Sequence, residues 1–399
     1  MAAAIERRTA DAPARSNAGC IARVEAIGDL AAAEPIWRAF EARRQFLTPY
    51  QRFDFLSAWQ HEVGRRDDVC PFIVIATDAE CRPLLLLPLT IRHKFGIRAA
   101  CFMGGKHANF NMALWDSDFA VEAGPTDLDA LLSGIRKLAA ADVLALTQQP
   151  RRWQELANPF AGLPQQHSVN PCPVLNMPHG AAPNALISNS FRRRLKSKER
   201  KLQSLPGFRY RLADTDPEIT GLLDWFFRTK PQRMAEQNLP NVFAEPGIEE
   251  FIRCACLAKL AGGRRAIDIH ALECEEEVIA LFAGVADGYR FSMMFNTYTM
   301  SENARYSPGL ILIRNIIDHY AGSGYRALDL GIGSDDYKRL FCKTDEPIFD
   351  SFIPLTFRGK LAASAISAIH RGKRLVKQNP ALRHLALRLR GALHQDVHS

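Results

Sequence analysis

The sequence has no long hydrophobic run, no CxxC cysteine pair and no familiar metal-binding spacing. Its longest apolar runs, such as Leu84–Leu89 and Ile279–Ala286, fall far short of the roughly 20 residues that a membrane-spanning helix needs. Met1–Gly19 contains Arg7 and Arg8 but no apolar segment after them. We therefore expect a loose tail there rather than a secretory signal.

The nine cysteines are scattered, and none forms a CxxC pair. This argues against a zinc site or a disulfide framework and favours reduced thiols in a cytoplasmic protein. The sequence also lacks an HExxH motif, so we predict no metal. With 47% hydrophobic and 24% charged residues in 399 positions, the composition predicts a globular protein of two or three domains.

The net positive charge comes from the end of the chain. Arg358–Ser399 holds nine Lys or Arg and one acid, Asp396, which accounts for the whole net charge of +8. Gly359–His394 contains two amphipathic basic segments, which suit an anionic membrane surface or a partner protein. We predict a cytoplasmic protein, with peripheral binding at the inner face of the membrane left open. No nucleic-acid-binding module occurs, so no nucleic-acid partner is expected.

Secondary-structure patterns follow the same order in the two halves of the chain: helices, three hairpin-linked strands, a helix, a strand, an irregular segment and a last strand. A Pro/Gly-containing break at Asn176–Asn184 separates the halves. We predict a disordered tail (1–20), two similar domains (21–178 and 184–358) and a basic amphipathic tail (359–399). The predicted strands are Pro71–Thr77, Pro83–Ile91, Ile97–Met103, Asp142–Leu146 and Ser168–Leu175 in the first half, and Ala266–Cys274, Val278–Ala286, Tyr289–Tyr298, Arg326–Leu330 and Phe349–Phe357 in the second.

The stretch Gly288–Lys343 is the most informative part of the sequence. It reads as strand, loop, helix, strand and a charged loop, and Ser307-Pro308-Gly309 stands where the helix begins. A helix start presents free backbone N–H groups and a positive dipole end, which suit a phosphate. The open alternative is an ordinary helix start with Ser307 as the N-cap and Pro308 at the first helical position.

Four motifs carry a resemblance to a known family: TPYQRFDFLSAW, SFRRRLKSKERKL, YSPGLILIRNII and LDLGIGSDDYKRLF. With them, Ile21–Phe357 resembles tandem-GNAT acyltransferases associated with cellulose or exopolysaccharide biosynthesis, which are distant relatives of Fem-type peptidyltransferases. The resemblance implies an α/β fold (α+β in some schemes) of two GNAT-like domains, each a mixed, mainly antiparallel sheet flanked by helices. The first domain has no equivalent of the phosphate loop.

The resemblance implies that acyl-CoA, such as acetyl-CoA, lies between the fourth and fifth strands of the second domain. The backbone of the helix start would hold the pyrophosphate. Most enzymes of this kind have a longer glycine-rich loop there, whereas this chain has Ser-Pro-Gly. The predicted cofactor-binding residues are Tyr306, Ser307, Pro308, Gly309 and Leu310.

Acyl transfer to an amine needs a deprotonated amine, a stabilised oxyanion and a proton for the leaving thiolate. Asp329 ends an apolar strand and is a candidate acceptor or base; alternatively it caps the following glycine loop. Tyr337 is a candidate proton donor or a packed aromatic residue. Lys338 is a candidate for holding an anionic group or a carbonyl oxygen, or a solvated lysine. An aromatic–lysine pair also occurs at this place in Fem-type relatives.

Further candidates lie on the basic helix Phe191–Leu202, after the next helix along the chain and on the predicted strand Tyr289–Tyr298. The helix carries seven Lys or Arg and one acid, which predicts either a solvated face or an anion-attracting wall over the cleft. The predicted substrate-binding residues are Arg193, Lys230, Arg233, Met294 and Asn296.

We therefore predict an N-acyltransferase that moves an acyl group from acyl-CoA to an unidentified amine, with no metal. A polysaccharide synthase or an anionic membrane is the expected partner of the basic tail. Two alternatives keep the fold: a Fem-type aminoacyl-tRNA-dependent peptidyltransferase and a non-catalytic component of a polysaccharide synthesis complex. ALDLGIG at Ala327–Gly333 resembles the first motif of Rossmann-type methyltransferases, but too little chain follows it to build that fold.

Overall fold

The computed structural model describes residues 19–42, 45–333 and 335–379, which form two main sheets with helices packed on their faces. The α-helices are α1 (Leu30–Ala42), α2 (Phe53–Trp59), α3 (Ser117–Glu122), α4 (Pro125–Lys137), α5 (Asn189–Leu202), α6 (Asp216–Glu236), α7 (Ile248–Leu257), α8 (Pro308–Gly322), α9 (Lys338–Phe341) and α10 (Phe357–Gln378). The strands of the first half are β1 (Arg23–Ile27), β2 (Gln45–Phe46), β3 (Cys70–Thr77), β4 (Pro83–Lys94), β5 (Ile97–Phe102), β6 (Leu114–Asp116), β7 (Val143–Pro150), β8 (Arg152–Trp153), β9 (Leu156–Ala157), β10 (Gln166–His167) and β11 (Cys172–Asn176). Those of the second half are β12 (Arg209–Leu212), β13 (Asp268–Glu273), β14 (Val278–Ala286), β15 (Arg290–Tyr298), β16 (Ala327–Asp329), β17 (Thr344–Glu346) and β18 (Ile348–Pro354).

The two main sheets share one plan. The first has the order β1-β3-β4-β5-β7-β18-β10, with β6 paired to β4 and β2, and the second has the order β12-β13-β14-β15-β16-β11-β17. β5 and β7 are parallel in the first sheet, and β15 and β16 are parallel in the second. The other pairings along these paths are antiparallel. The predicted mixed, mainly antiparallel α/β fold is confirmed.

Each parallel pair is joined by a crossover helix, as parallel strands require. α4 connects β5 to β7, and α8 connects β15 to β16. Both helices begin with proline, Pro125 and Pro308, because proline fits the first helical position, where no N–H is needed. The repeated order predicted from the sequence is therefore visible in the structure as two equivalent strand–helix–strand units.

The last strand of each half pairs with the sheet of the other half. β11 lies between β16 and β17 in the second sheet, whereas β18 lies between β7 and β10 in the first. The expectation that each strand completes its own half was wrong. A strand's apolar pattern shows which face is buried but not which sheet edge it joins. The division between 178 and 184 stays a prediction, and strand pairing crosses it.

The cores also join the two halves. The ring of Phe55 on α2 packs edge-on against Phe251 on α7, with ring centres 5.2 Å apart. α8 is buried along much of its length because α5 covers its outer face, where Arg192 pairs with Asp318. Burial of each large apolar side chain contributes about 1.5–3 kcal/mol. This packing fixes α8 against the second sheet.

α10 starts at Phe357, where the sequence predicted the end of a strand, and Thr356 caps its first turn. It packs closely on the first sheet, because a Cβ at Gly359 would clash with the carbonyl oxygen of Asp142. The second predicted basic segment, around 382–390, lies outside the described residues. In the described part of the chain, no helix is long and apolar enough to cross a membrane.

Candidate functional site

A cleft opens where β15 and β16 separate. The two strands pair only over Arg290–Ser292 and Ala327–Asp329, whereas β15 stays paired with β14 as far as Ala280 and Tyr298. A β-bulge leaves Met294 out of register with β14, which bends and twists the strand locally. The edge of β15 beyond Ser292 is therefore one wall of the cleft, and the loop after β16 is the other.

The side chains of β15 alternate along this wall. Met294, Asn296 and Tyr298 are partly exposed, and Phe295 and Thr297 between them are buried. This is the alternation that strand periodicity predicts for these residues.

The first turn of α8 faces the cleft with an unusual backbone. Ser307 has φ 58° and ψ 51°, and its carbonyl oxygen accepts from the N–H groups of Leu310 at 3.0 Å and Ile311 at 3.2 Å. Pro308 has no N–H, and the N–H of Gly309 has no acceptor among the described residues. The helix thus offers one free donor and its positive dipole end.

Two contacts relate this turn to its surroundings. The ammonium of Lys198 on α5 donates to the Ser307 hydroxyl at 2.7 Å. A Cβ placed on Gly309 would lie 3.5 Å from Cδ1 of Tyr298. The helix start, the end of β15 and one lysine of the basic helix therefore meet.

α6 places two cations along β15. The ammonium of Lys230 donates to the Asn296 carbonyl oxygen at 3.0 Å. The guanidinium of Arg233 lies 3.5 Å from the ring centre of Tyr298 and also reaches the Thr299 carbonyl. Burial, followed by the charge of Arg233, lowers the pKa of Lys230. The structure thus brings together four predicted substrate-binding residues: Lys230, Arg233, Met294 and Asn296.

Tyr337 closes the opposite side of the cleft. The Asn296 side chain is near enough to its hydroxyl to act against the rise in the pKa of Tyr337. Burial, followed by the Asp335 carboxylate, raises the pKa of Tyr337. The phenol is therefore protonated at neutral pH, as a proton donor must be.

Lys338 is buried and directed into its own loop. Its ammonium donates to the carbonyl oxygens of Gly331 and Ile332, each at 3.1 Å, and pairs with Asp335 at 3.2 Å. Gly331 has φ +76°, and a Cβ there would meet the Met293 carbonyl oxygen at 2.9 Å. The lysine therefore shapes the loop that lies against β15. The carbonyl oxygens that it holds belong to this loop, and its burial differs from the predicted alternative of a solvated lysine.

Asp329 is fully buried, and both its oxygens are occupied. Oδ2 accepts from Arg290 Nε at 2.8 Å, and Oδ1 accepts from the Ser292 hydroxyl at 3.0 Å and the Gly331 N–H at 2.9 Å. Arg290 also pairs with Glu346 at 2.7 Å. These contacts favour the loop-capping alternative and leave no oxygen directed at a substrate amine.

The contribution of the first half to this site was not predicted from the sequence. The Tyr50 hydroxyl lies 2.8 Å from the Ser292 hydroxyl. The Asn109 amide donates to the Tyr50 hydroxyl at 2.8 Å and to the Met293 carbonyl oxygen at 2.7 Å. Tyr50 lies within the motif TPYQRFDFLSAW, which was noted for its resemblance alone. Asn109 gave no sequence signal.

Other predicted residues lie further from the cleft or serve the core. Arg193 is exposed on α5 beside Arg192, which pairs with Asp318 near the far end of α8. Tyr306 and Leu310 pack against the apolar core between α8 and the second sheet. The described residues contain no group of three or more His, Cys, Asp or Glu side chains suited to a metal ion.

Residues 189–339 match a family model described as an acetyltransferase (GNAT) domain. The second half has the GNAT fold. The match lies within the second half and does not include the first half. No protein of curated function matches the sequence.

Several solved structures share the fold at low sequence identity. A DUF2156 domain assigned to a lysylphosphatidylglycerol synthetase from Agrobacterium fabrum aligns with TM-score 0.50 and 12% identity, over 85% of this chain and 96% of that one. FemX aligns with TM-score 0.50 and 10% identity, over 80% and 100%. A Bacteroides thetaiotaomicron protein of unknown function has the same score at 12% identity, over 84% and 100%. At these identities the likeness shows the fold alone.

Proposed function

We propose that the protein is an N-acyltransferase that transfers an acyl group, such as acetyl, from acyl-CoA to an amine acceptor. The observation that carries the proposal is the separation of β15 from β16 beside the first turn of α8. The separated strand edge can hydrogen-bond an extended pantetheine arm, and the helix start can receive its pyrophosphate. Acyl-CoA is the co-substrate, and the proposed reaction uses no metal.

Positive charge, as well as the backbone at the start of α8, supports phosphate binding at this end of the cleft. Lys198 reaches Ser307, and Arg194 and Lys201 lie three or four residues away on the same side of α5, where both are exposed. Residues at these spacings share one helix face. The free Gly309 N–H and this basic face together give an anion-binding surface at one end of the cleft. Arg193 stays a prediction for the same surface.

In the proposed reaction the neutral amine nitrogen bonds to the acyl carbon, the carbon–sulfur bond then breaks, and the nitrogen gives up one proton to solvent. Tyr337, whose raised pKa keeps its hydroxyl protonated at neutral pH, gives its proton to the departing thiolate. The backbone N–H at the Met294 bulge stabilises the oxyanion. Lys230 and Arg233 hold the β15 wall and attract an anionic group of the substrate. Asp329 and Lys338 keep the loop after β16 in place, which is a positioning role.

A Fem-type peptidyltransferase is the second candidate function, because the exposed basic face of α5 would also suit the phosphates of an RNA. A role in polysaccharide production rests on the sequence resemblance. A third candidate, a non-catalytic component of a synthesis complex, keeps the fold and predicts no turnover. Binding of acyl-CoA separates the first candidate from the other two.

The test compares acetyl-CoA binding by wild type, Gly309→Trp and Gly309→Ala, measured by thermal shift and calorimetry. A Cβ at Gly309 meets only ordinary contacts, so Gly309→Ala is a matched control that should bind normally. An indole at that position fills the space between α8 and Tyr298 and should abolish binding. No thermal shift of the wild type with acetyl-CoA or a longer acyl-CoA would refute the proposal.

Peripheral membrane binding through α10 is a further part of the proposal. Phe357, Leu361 and Leu375 are 78%, 71% and 64% exposed, and basic residues such as Arg371 and Lys373 lie on the same helix. An exposed apolar stripe with basic neighbours suits an anionic lipid surface. The protein should sediment with anionic vesicles, and Leu361→Glu should reduce this. Equal sedimentation of both proteins would contradict it.

A further inference from the structure

A cavity of about 360 Å³ lies at the opposite end of α8 from the acyl cleft. Its lining includes Tyr320, near the end of α8, and Asp268, the first residue of β13. Because an α-helix rises 1.5 Å per residue, Tyr320 is about 18 Å along the helix axis from Pro308. The cavity is therefore separate from the acyl cleft. Its volume is in the lower part of the range of small-molecule sites, about 300–1,000 Å³.

A chain of hydrogen bonds holds the Asp268 carboxylate in one orientation. The Tyr320 hydroxyl donates to Oδ2 of Asp268 at 2.7 Å and accepts from Nε2 of His270 at 3.0 Å. Burial, followed by the charge of His319, lowers the pKa of His270 to about 3, so the ring is neutral and carries one proton. Nδ1 of His270 therefore accepts, and its donor is the Tyr210 hydroxyl at 2.9 Å.

One oxygen of this fixed carboxylate remains available. Both hydrogen bonds to the Asp268 side chain, from Tyr320 and from Nη2 of Arg264, end on Oδ2, and no donor among the described residues reaches Oδ1. The side chain lines the cavity and keeps 9% of its surface exposed. A carboxylate buried to this extent normally has both oxygens hydrogen-bonded, because removing its charge from water is costly. Oδ1 is thus an open position for an N–H donor of a ligand.

Arg264 provides a cation beside this open position. Its side chain is 53% exposed. Its Nη2 reaches the Tyr325 hydroxyl at 3.2 Å and Asp268 only at 3.5 Å, and in the described part of the chain its Nε and Nη1 donate to no acceptor. The neighbouring Arg265 is not available, because its guanidinium is buried and pairs with Asp216. A cation and an anion therefore adjoin on one wall, and each has unused hydrogen-bonding atoms.

The charges of the lining balance. Burial lowers the pKa of His319, so its ring is neutral at pH 7. Leu212 and Ala213 add an apolar surface. The other ionisable residues with a charge at that pH are two arginines and two aspartates: Arg264, Arg265, Asp214 and Asp268. Such a lining favours a ligand that has one cationic and one anionic group and no net charge.

We propose that this cavity binds a small α-amino acid in its zwitterionic form. The ligand ammonium donates to Asp268 Oδ1, and the ligand carboxylate accepts from the free N–H groups of Arg264. The two charged groups of an α-amino acid are attached to the same carbon, which suits two protein charges that adjoin. A short side chain then lies toward Leu212. Binding at this site involves no chemical step and does not depend on the proposed acyl transfer.

The test is ligand-observed NMR titration of the full chain with glycine, L-alanine and L-serine. Ethylamine and propionate, which carry only one of the two charged groups, are titrated separately. We expect saturable binding of at least one amino acid and at least tenfold weaker binding of ethylamine and propionate. Arg264→Gln and Asp268→Asn should each weaken amino-acid binding about tenfold or more, because each removes one charge-assisted contact.

Arg23→Gln is the matched control, because Arg23 is an exposed arginine that pairs with Glu25 in the first half. This variant should bind as the wild type does. Thermal unfolding shows whether each variant is folded, and the half-exposed Arg264→Gln keeps the test valid if Asp268→Asn is not. Absence of saturable binding by all three amino acids would overturn the proposal. Equal binding of ethylamine, or binding that survives both Arg264→Gln and Asp268→Asn, would also overturn it.

Discussion

The hydroxyl of Tyr50 lies 2.8 Å from the hydroxyl of Ser292, and the two residues come from opposite halves of the chain. Ser292 is the last residue of β15 that pairs with β16. The contact therefore ties the first half to the point where the cleft begins. Asn109 reinforces it by donating to Tyr50 and to the Met293 carbonyl oxygen.

Tyr50→Phe should destabilise the protein. The change removes the hydroxyl that both Ser292 and Asn109 use, and a buried group left unpaired costs about 1–3 kcal/mol. Urea denaturation measures the free energy of unfolding. Tyr289→Phe, which removes a single hydrogen bond to the exposed Glu155 side chain, should cost much less. Equal effects of the two changes would contradict the role given to Tyr50.

Asp329→Asn should lower stability because it leaves the Arg290 guanidinium short of a buried counter-charge. Breaking such a pair from one side typically costs about 3–5 kcal/mol. The control is Asp345→Asn, whose partner Arg339 is exposed and whose effect should be within about 1 kcal/mol. If Asp329→Asn kept full stability and lost only kcat, Asp329 would be the catalytic base rather than a positioning residue.

Tyr337→Phe should reduce kcat with little change in the KM for acyl-CoA. Loss of a general acid typically costs about 10²–10⁴-fold in rate, and the phenyl ring retains the packing. Steady-state assays with acetyl-CoA and a set of amine acceptors give both kcat and KM. An unchanged kcat would remove Tyr337 from the mechanism and leave it as a packed aromatic residue.

Lys198→Ala should raise the KM for acyl-CoA, because it removes the cation nearest to the helix start. Lys196 provides a matched control: it is exposed on the same helix but two positions away, on a different face. A lost phosphate contact should weaken binding about 3- to 10-fold at low salt and less at high salt. Equal effects of the two changes would mean that only the overall charge of α5 matters.

Stability should fall as the pH is lowered from 7 to 5, in part through His107. Burial, followed by the charge of Lys106, lowers the pKa of His107 to about 4, and its Nδ1 accepts from the Trp59 indole. In the unfolded chain the His107 imidazole takes up a proton near pH 6.5, whereas in the folded chain it does so only near its lowered pKa of about 4. Protonation therefore favours unfolding below about pH 6.5. The loss is up to about 2 kcal/mol, and it should be smaller in His107→Gln. An equal loss in both proteins would contradict this assignment.

Much of the fold was predictable, because alternation and helix periodicity are local signals. β3, β4, β5, β14 and β15 lie where the apolar alternation placed them, and Pro308 begins α8 as predicted. The exchange of β11 and β18 was not predictable, because pairing partners are set by tertiary contacts. The predicted strand Arg326–Leu330 is present as β16, but it is only three residues long, which could not be predicted from its apolar pattern.

The candidate site was predictable only in part. Met294, Asn296, Lys230, Arg233 and Tyr337 converge as the sequence suggested. Asp329 and Lys338 stand at the expected places but face inward, because Arg290 and the loop carbonyls bind them. The sequence shows that Asp329 is a charged residue near a turn, but it does not show which residue binds it. Its partner Arg290 lies on another strand, about 40 residues earlier in the chain. The role of Asn109 could not be predicted for the same reason.

The most direct test of the central claim is a crystal structure of the protein with CoA bound. We expect the pyrophosphate to lie within about 3 Å of the Gly309 N–H and near Lys198. The pantetheine arm should follow the free edge of β15. The thiol should then end beside Met294 and Tyr337. CoA bound away from α8 would contradict the proposed binding site.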